Sequence, residues 1–201
     1  IADYFLHNSL NVLHPQDDSV MQFSEKYSKK IVLRRSRGFA PNILNFNMPQ
    51  CNEKILCFGS DLKSTITILP NSNCYTSEYI GDLENYDTYL RYEKTIESYQ
   101  SIFRFEPEIV LFDAHPKYIS SQLAESYYNL ENPIQYLKIQ HHKAHFAAIL
   151  GEKNLWKTDD KILGIIWDGI GYGEDAQIWG GEFFEFQNKE INRLGYLAYY
   201  P

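Results

Sequence analysis

Between Tyr89 and Phe103 the apolar positions Tyr89, Tyr92, Ile96, Tyr99 and Phe103 recur at steps of three and four. That is the spacing of one helix face, and it predicts a helix packed on a core. Elsewhere the apolar runs are short and bounded by turn formers, the mark of strands. Ile55 to Gly59, Ser64 to Leu69 and Cys74 to Ile80 are three such runs. Ser60 to Lys63 turns between the first two, Pro70-Asn71-Ser72-Asn73 between the last two, and Asp82 stands where it can cap the helix that follows. Ile109 to Phe112 reads as a short buried strand, Pro116 to Tyr128 as a helix and Ile134 to Ile139 as another strand. His141 to Glu152, with Ala and Leu and no proline, reads as a third helix. The order strand, strand, strand, helix, strand, helix, strand, helix predicts an α/β fold with a mixed sheet, parallel pairs and flanking helices. Ligands in such sheets bind at the carboxyl ends of strands, and His141 lies just past one.

Upstream of Lys54 the pattern is different. Ile1 to Leu13 reads as the tail of an amphipathic helix stopped by Pro15. Asp17-Asp18-Ser19-Val20 opens an alternating run to Phe23, Ser24 to Lys30 is polar, and Ile31-Val32-Leu33 is strand-like, which together predict a β-hairpin. Pro41 to Glu53 has two prolines, four asparagines and no periodicity, so it reads as linker. Downstream, Lys54-Ile55-Leu56-Cys57-Phe58-Gly59-Ser60-Asp61 is echoed by Lys161-Ile162-Leu163-Gly164-Ile165-Ile166-Trp167-Asp168. Both begin Lys-Ile-Leu, both reach Asp at the eighth position, and each leads into a turn and a second strand. The echo predicts a second lobe that starts with the same hairpin as the first. The expected division is 1–41, a linker over 42–53, a first lobe over 54–157 and the start of a second over 158–201.

Composition narrows the function classes. The 201 residues are 44% hydrophobic and 22% charged, ordinary for a soluble domain. The net charge of −7 argues against general nucleic-acid binding, which needs a basic surface. No run of 18 apolar residues predicts a transmembrane helix, so no membrane role is expected. Beginning at Ile1 and stopping at Pro201 just after a strand-like run, the chain reads as a piece of something longer. Cys51, Cys57 and Cys74 are odd in number and lack metal-type spacing, as expected for reduced thiols of a cytoplasmic protein.

The chemistry concentrates in Gln140-His141-His142-Lys143-Ala144-His145, which holds three of the six histidines. On a helix His141 and His145 share a face while His142 points elsewhere, so the first two can grip one metal ion. The alternative is a set of packed and exposed histidines without metal. Asp168 closes an apolar run and is followed by Gly169, Gly171 and Gly173, then by Gly180-Gly181. Glycines in a turn let backbone N–H groups approach phosphate, although hairpin geometry alone would also use them. Arg34-Arg35-Ser36-Arg37-Gly38 is either a phosphate-binding loop or a solvated basic one.

Taken together, Gln140 to His145, Trp167-Asp168-Gly169-Ile170-Gly171-Tyr172-Gly173 and Ile178-Trp179-Gly180-Gly181-Glu182 resemble the HypF carbamoyltransferases of NiFe-hydrogenase maturation. So do Gly81-Asp82-Leu83-Glu84-Asn85, Asp113-Ala114-His115-Pro116, Asp17 to Val20 and Arg34 to Gly38. The resemblance covers nearly the whole chain. It implies that residues 1–41 are the end of a YrdC-like domain, finishing in its C-terminal β-hairpin, with Ser19 and Arg35 as nucleotide contacts. It implies a TsaD-like lobe of the actin-like ATPase and sugar-kinase type from residue 54, followed by the start of its second lobe. His141, His145 and Asp168 match the family's metal ligands, for a divalent Fe, Zn, Mg or Mn. Gly169, Gly171, Gly180 and Gly181 would then hold ATP phosphates. The implied activity uses carbamoyl phosphate and ATP, by way of carbamoyl-adenylate, to carbamoylate the C-terminal cysteine of a HypE-type acceptor protein. This stretch by itself is expected to be inactive. The alternatives are a tRNA threonylcarbamoyl-adenosine transferase of the TsaD type and a non-catalytic nucleotide-binding scaffold.

Overall fold

The computed structural model describes residues 3–10, 12, 14–44, 51–127 and 133–198. Near the N-terminus β1 (Val20–Ser24) and β2 (Lys29–Arg34) form an antiparallel hairpin. A single 3₁₀ turn joins them, ended by Ser28 in the left-handed region at φ 48°. The amphipathic helix expected before it does not form among the described residues. Tyr4, Phe5 and Leu6 are exposed there and non-helical. A short helix is marginal in water unless its apolar face is packed, and this one has no covering surface. Ile1, Ala2, Asn11 and Leu13 lie outside the described residues.

A six-stranded mixed sheet follows: β3 (Asn42–Leu44), β4 (Ile55–Cys57), β5 (Thr67–Leu69), β6 (Cys74–Thr76), β7 (Ile109–Asp113) and β8 (Gln135–Ile139). Its order is β3-β6-β5-β4-β7-β8. β4, β7 and β8 run parallel, and the other pairs are antiparallel. β3 arises inside the stretch that reads as irregular linker, because its extended shape comes from hydrogen bonds to β6 rather than from any alternation of its own. Residues 45–50 of that stretch are not described.

Helix α1 (Tyr86–Phe103) buries Tyr92, Ile96 and Tyr99 from the predicted stripe. They join Leu56, Phe58, Ile68, Val110 and Phe112 in one core. Its cap is Asn85, which accepts from the amides of Asp87 and Thr88, and not Asp82. The Asp82 carboxylate accepts instead from Lys63 N at 2.8 Å, so it ties down the β4–β5 connection. Helix α2 (Ile119–Ser126) is shorter than expected. Residues 116–118 form a turn, and buried Asp61 supplies the cap from another element, accepting from Ile119 N at 2.8 Å and Ser120 N at 2.9 Å. Tyr128, the expected end of α2, lies outside the described residues.

Helix α3 (His141–Glu152) leaves the end of β8 and packs on a second sheet. That sheet is antiparallel, β9 (Ile162–Tyr172), β10 (Ile178–Gln187) and β11 (Glu190–Tyr196), in the order β11-β10-β9. Phe146 and Leu150 of α3 meet Trp179, Phe184 and Phe186 in a second core. Gly164 permits this approach, since a Cβ there would sit 2.7 Å from the Phe146 ring. The echoed segments do each open an antiparallel hairpin, β4–β5 and β9–β10. The second hairpin is longer than the sequence suggests. β9 continues through Asp168 to Tyr172, and the turn occupies 173–177. No helix among the described residues is long and apolar enough to cross a membrane.

Candidate metal centre

Parallel strands β7 and β8 end side by side, with Asp113 paired to Ile139. Two residues later α3 begins, so His141 starts its helix against the end of β7. Gln140 caps α3 by accepting from Lys143 N at 2.9 Å, and its amide nitrogen donates to Tyr172 O of β9 at 3.0 Å. One side chain thus shapes the helix start and fastens it to the strand that carries Asp168. Buried His142 lies on the same seam: a Cβ at Gly171 would come within 2.4 Å of its Cε1. Burial lowers the His142 pKa and keeps the ring neutral. His142 is therefore a packing residue, as its off-face position predicts.

On the other face, His141 and His145 from α3 meet Asp168 from β9. The two Nε2 atoms are 3.2 Å apart. Asp168 Oδ2 lies 3.0 Å from His141 Nε2 and 3.7 Å from His145 Nε2. One ligand atom from each residue falls within 4.8 Å of the others. Ligand bonds of about 2.0–2.2 Å put two donors on a shared ion roughly 3–3.5 Å apart, so these separations suit a common cation. Asp168 Oδ2 is buried and faces both imidazole nitrogens. Its other oxygen is held by Gly169 N at 2.7 Å, which aims Oδ2 at the imidazoles.

His141 also contacts Asp113, Nδ1 to Oδ2 at 2.6 Å. The hydrogen bond to Asp113 raises the His141 pKa above the usual 6.5, against the opposing effect of burial. When its Nδ1–H donates to Asp113, a neutral His141 turns its Nε2 lone pair toward the Asp168 carboxylate and His145. Those electron pairs repel unless a positive charge sits among them, either a proton on Nε2 or a metal ion. Asp113 is absent from the sequence-derived site set. The signal was present in its position at the end of a strand that runs parallel to the one feeding the histidine helix.

The glycines lie mainly in strands rather than in the expected turn. Gly169 and Gly171 belong to β9, Gly180 and Gly181 to β10, and the register shifts between Trp179 and Gly181. Gly169 N is engaged by Asp168, and Gly180 N faces Glu182 Oε1 at 3.3 Å. Gly171 makes room for His142, and Gly181 for Leu197. Ser19 and Arg35 sit in the hairpin region, on none of the elements that carry the histidines. The Ser19 hydroxyl donates to Arg37 O and accepts from Ser36 N, each at 2.9 Å. Tyr79 N donates to Arg35 O at 2.9 Å, which docks the hairpin on the first core. Arg34 and Arg37 pair with Asp17 and Asp18. Cys57 is a free thiol whose pKa is pushed up to about 12 by burial, the opposite of an activated nucleophile.

Comparison with known proteins bears on the same segments. Residues 50–152 match the model of the HypF Kae1-like domain, and residues 164–201 that of the second subdomain of the carbamoyltransferase Kae1-like domain. The carbamoyltransferase HypF of Synechocystis sp. is 36% identical over 197 residues, 98% of this chain and 24% of that protein. The probable carbamoyltransferase HypF of Methanocaldococcus jannaschii is 36% identical over 199 residues, 98% of this chain and 25% of that protein. A crystal structure of full-length HypF in its phosphate- and nucleotide-bound form is similar with a TM-score of 0.82 at 35% identity, covering 96% of this chain and 29% of that one. HypF of T. kodakarensis gives 0.78 at 34% identity, covering 92% and 23%. The chain spans about a quarter of the length of the curated relatives it matches.

Proposed function

Because the chain belongs to the HypF carbamoyltransferase family, we propose that it carries part of a carbamoyl-transfer site. In this reading the full-length protein makes carbamoyl-adenylate from carbamoyl phosphate and ATP, then passes the carbamoyl group to the C-terminal cysteine of a HypE-type acceptor. The observation that carries it is the convergence of His141, His145 and Asp168 around the buried Asp168 Oδ2.

His141, His145 and Asp168 would hold a divalent ion, which would supply Lewis-acid polarisation and charge neutralisation to the carbamoyl or phosphate oxygens. Imidazole and carboxylate donors suit Fe, Zn and Mn, with Mg the poorest match. The chain's own part is orientation. Asp113 fixes the His141 ring, Gly169 N fixes the Asp168 carboxylate, and Gln140 keeps α3 against β9. The partner thiolate would attack the carbamoyl carbon, and AMP would leave with the bonding pair. No nucleophile is then required here, consistent with the raised pKa of half-buried Cys57. ATP use is supported by the likeness to a HypF crystallised with phosphate and nucleotide. A tRNA acceptor is disfavoured by the net charge of −7.

Asp168→Ala in the full-length protein tests the proposal. Carbamoyl transfer to the acceptor is expected to fall at least a hundredfold, while carbamoyl-adenylate formation, read by pyrophosphate exchange, stays at the parent rate. Transfer at the parent rate would overturn the assignment.

A further inference from the structure

Asp113 has two oxygens with separate tasks. Oδ1 accepts from His115 N at 2.8 Å and closes the turn after β7. Oδ2 lies 2.6 Å from His141 Nδ1, with the carboxylate side chain 6% exposed and the imidazole 18% exposed. The contact follows from topology. Asp113 ends β7 opposite Ile139, and Ala114 N donates to Ile139 O at 2.9 Å, which locks the two strand ends in register. Two further anchors hold the end of β7: Ser121 Oγ donates to Asp113 O at 2.9 Å, and the β7–β8 pairing runs from Ile109 to Asp113. The carboxylate is thus rigidly placed before His141 meets it.

We propose that Asp113 is a positioning residue of the metal centre, holding His141 by Nδ1 so that Nε2 is the atom offered beside His145 and Asp168. The inference rests on the metal reading above and adds a residue to it. Without the carboxylate the ring is free to turn about its χ2 bond, and either nitrogen carries the proton. With it, one tautomer and one orientation are set, and the added negative charge makes Nε2 a better donor. Gln140 and His142 act on the backbone of α3, whereas Asp113 acts on the ligand ring itself.

Cobalt(II) titration of the full-length protein, followed by its visible absorption, separates the possibilities. The spectral change lost in His141→Ala defines the site. Asp113→Ala is expected to weaken that site about 10- to 100-fold. Asp113→Asn, whose amide oxygen still accepts from Nδ1, should recover part of the loss with a shifted absorption band. Thermal melts of the metal-free variants show whether folding is intact, and Asp113→Asn serves as the readout if Asp113→Ala unfolds. If the parent protein shows no His141-dependent signal, the metal reading itself falls. If that signal is present and both Asp113 variants bind cobalt with parent affinity and spectrum, the positioning role is refuted while the metal reading stands.

Discussion

At the scale of single residues the centre is a problem of charge. Asp113 and Asp168 flank His141, with Asp113 against Nδ1 and Asp168 against Nε2, so the ring favours its protonated form. A raised folded pKa stabilises the metal-free fold below the unfolded value of 6.5, and that contribution is lost as pH rises through the folded pKa. Metal binding reverses the preference, because a ligand imidazole must be neutral. Apparent metal affinity is therefore expected to weaken on acidification from a pH above 6.5, earlier than for an ordinary histidine site. Calorimetric titrations between pH 8 and 6 in matched buffers would check this, and an affinity flat over that range would contradict it. The buried Asp168 Oδ2 points the same way, since a buried carboxylate oxygen costs free energy unless a positive charge, an imidazolium or a metal ion, lies against it.

At the scale of elements the centre depends on the seam between α3 and β9. A helix and a strand contribute its ligands, so their separation sets its geometry. Gly171 is the closest point, where a Cβ would fall 2.4 Å from His142 Cε1 and 2.7 Å from its Nδ1. Neither partner can yield easily, because His142 is fully buried and Gly171 is paired with Trp179 in the sheet. Gly171→Ala should push α3 outward by a fraction of an ångström or more and destabilise the fold by about 1–3 kcal/mol, the usual cost of overpacking. It should also weaken metal binding at least tenfold, although no ligand is changed. Urea melts and the cobalt titration together would detect both effects. Loss of stability with unchanged metal affinity would show that the seam does not set the ligand spacing.

At the scale of the whole molecule the two cores are joined through α3, which rises from the first sheet and packs on the second. The far face of the second sheet carries Leu163, Ile165, Trp167 and Leu194, exposed by 60%, 53%, 75% and 59%. An apolar patch of this kind tends to be covered by other protein. The 201-residue chain by itself should therefore self-associate at micromolar concentration. Ile165→Lys, in the middle of the patch, should shift it toward monomer in sedimentation-velocity runs. An unchanged sedimentation profile would mean that this face is not the contact.

Much of this arrangement was legible in the residues alone. The order of strands and helices after Lys54 follows from period and punctuation, which are local properties, and α3 begins and ends where its sequence says. The pairing of His141 with His145 follows from the helical repeat. The helix expected before Pro15 and the cap expected at Asp82 fail because neighbours distant in sequence decide them. The same holds for β3, which takes its shape from β6, and for α2, which is capped by Asp61. Gly169, Gly171, Gly180 and Gly181 fall in strands rather than in the expected turn, because composition cannot fix where a hairpin turns. Asp113 could not be assigned to the site by spacing, since 28 residues separate it from His141. Sequence by itself determined which elements exist and which side chains can share a helix face. Only the tertiary structure decided which carboxylates meet the imidazoles, because parallel strand register and the α3–β9 seam are set by packing between elements, not within them.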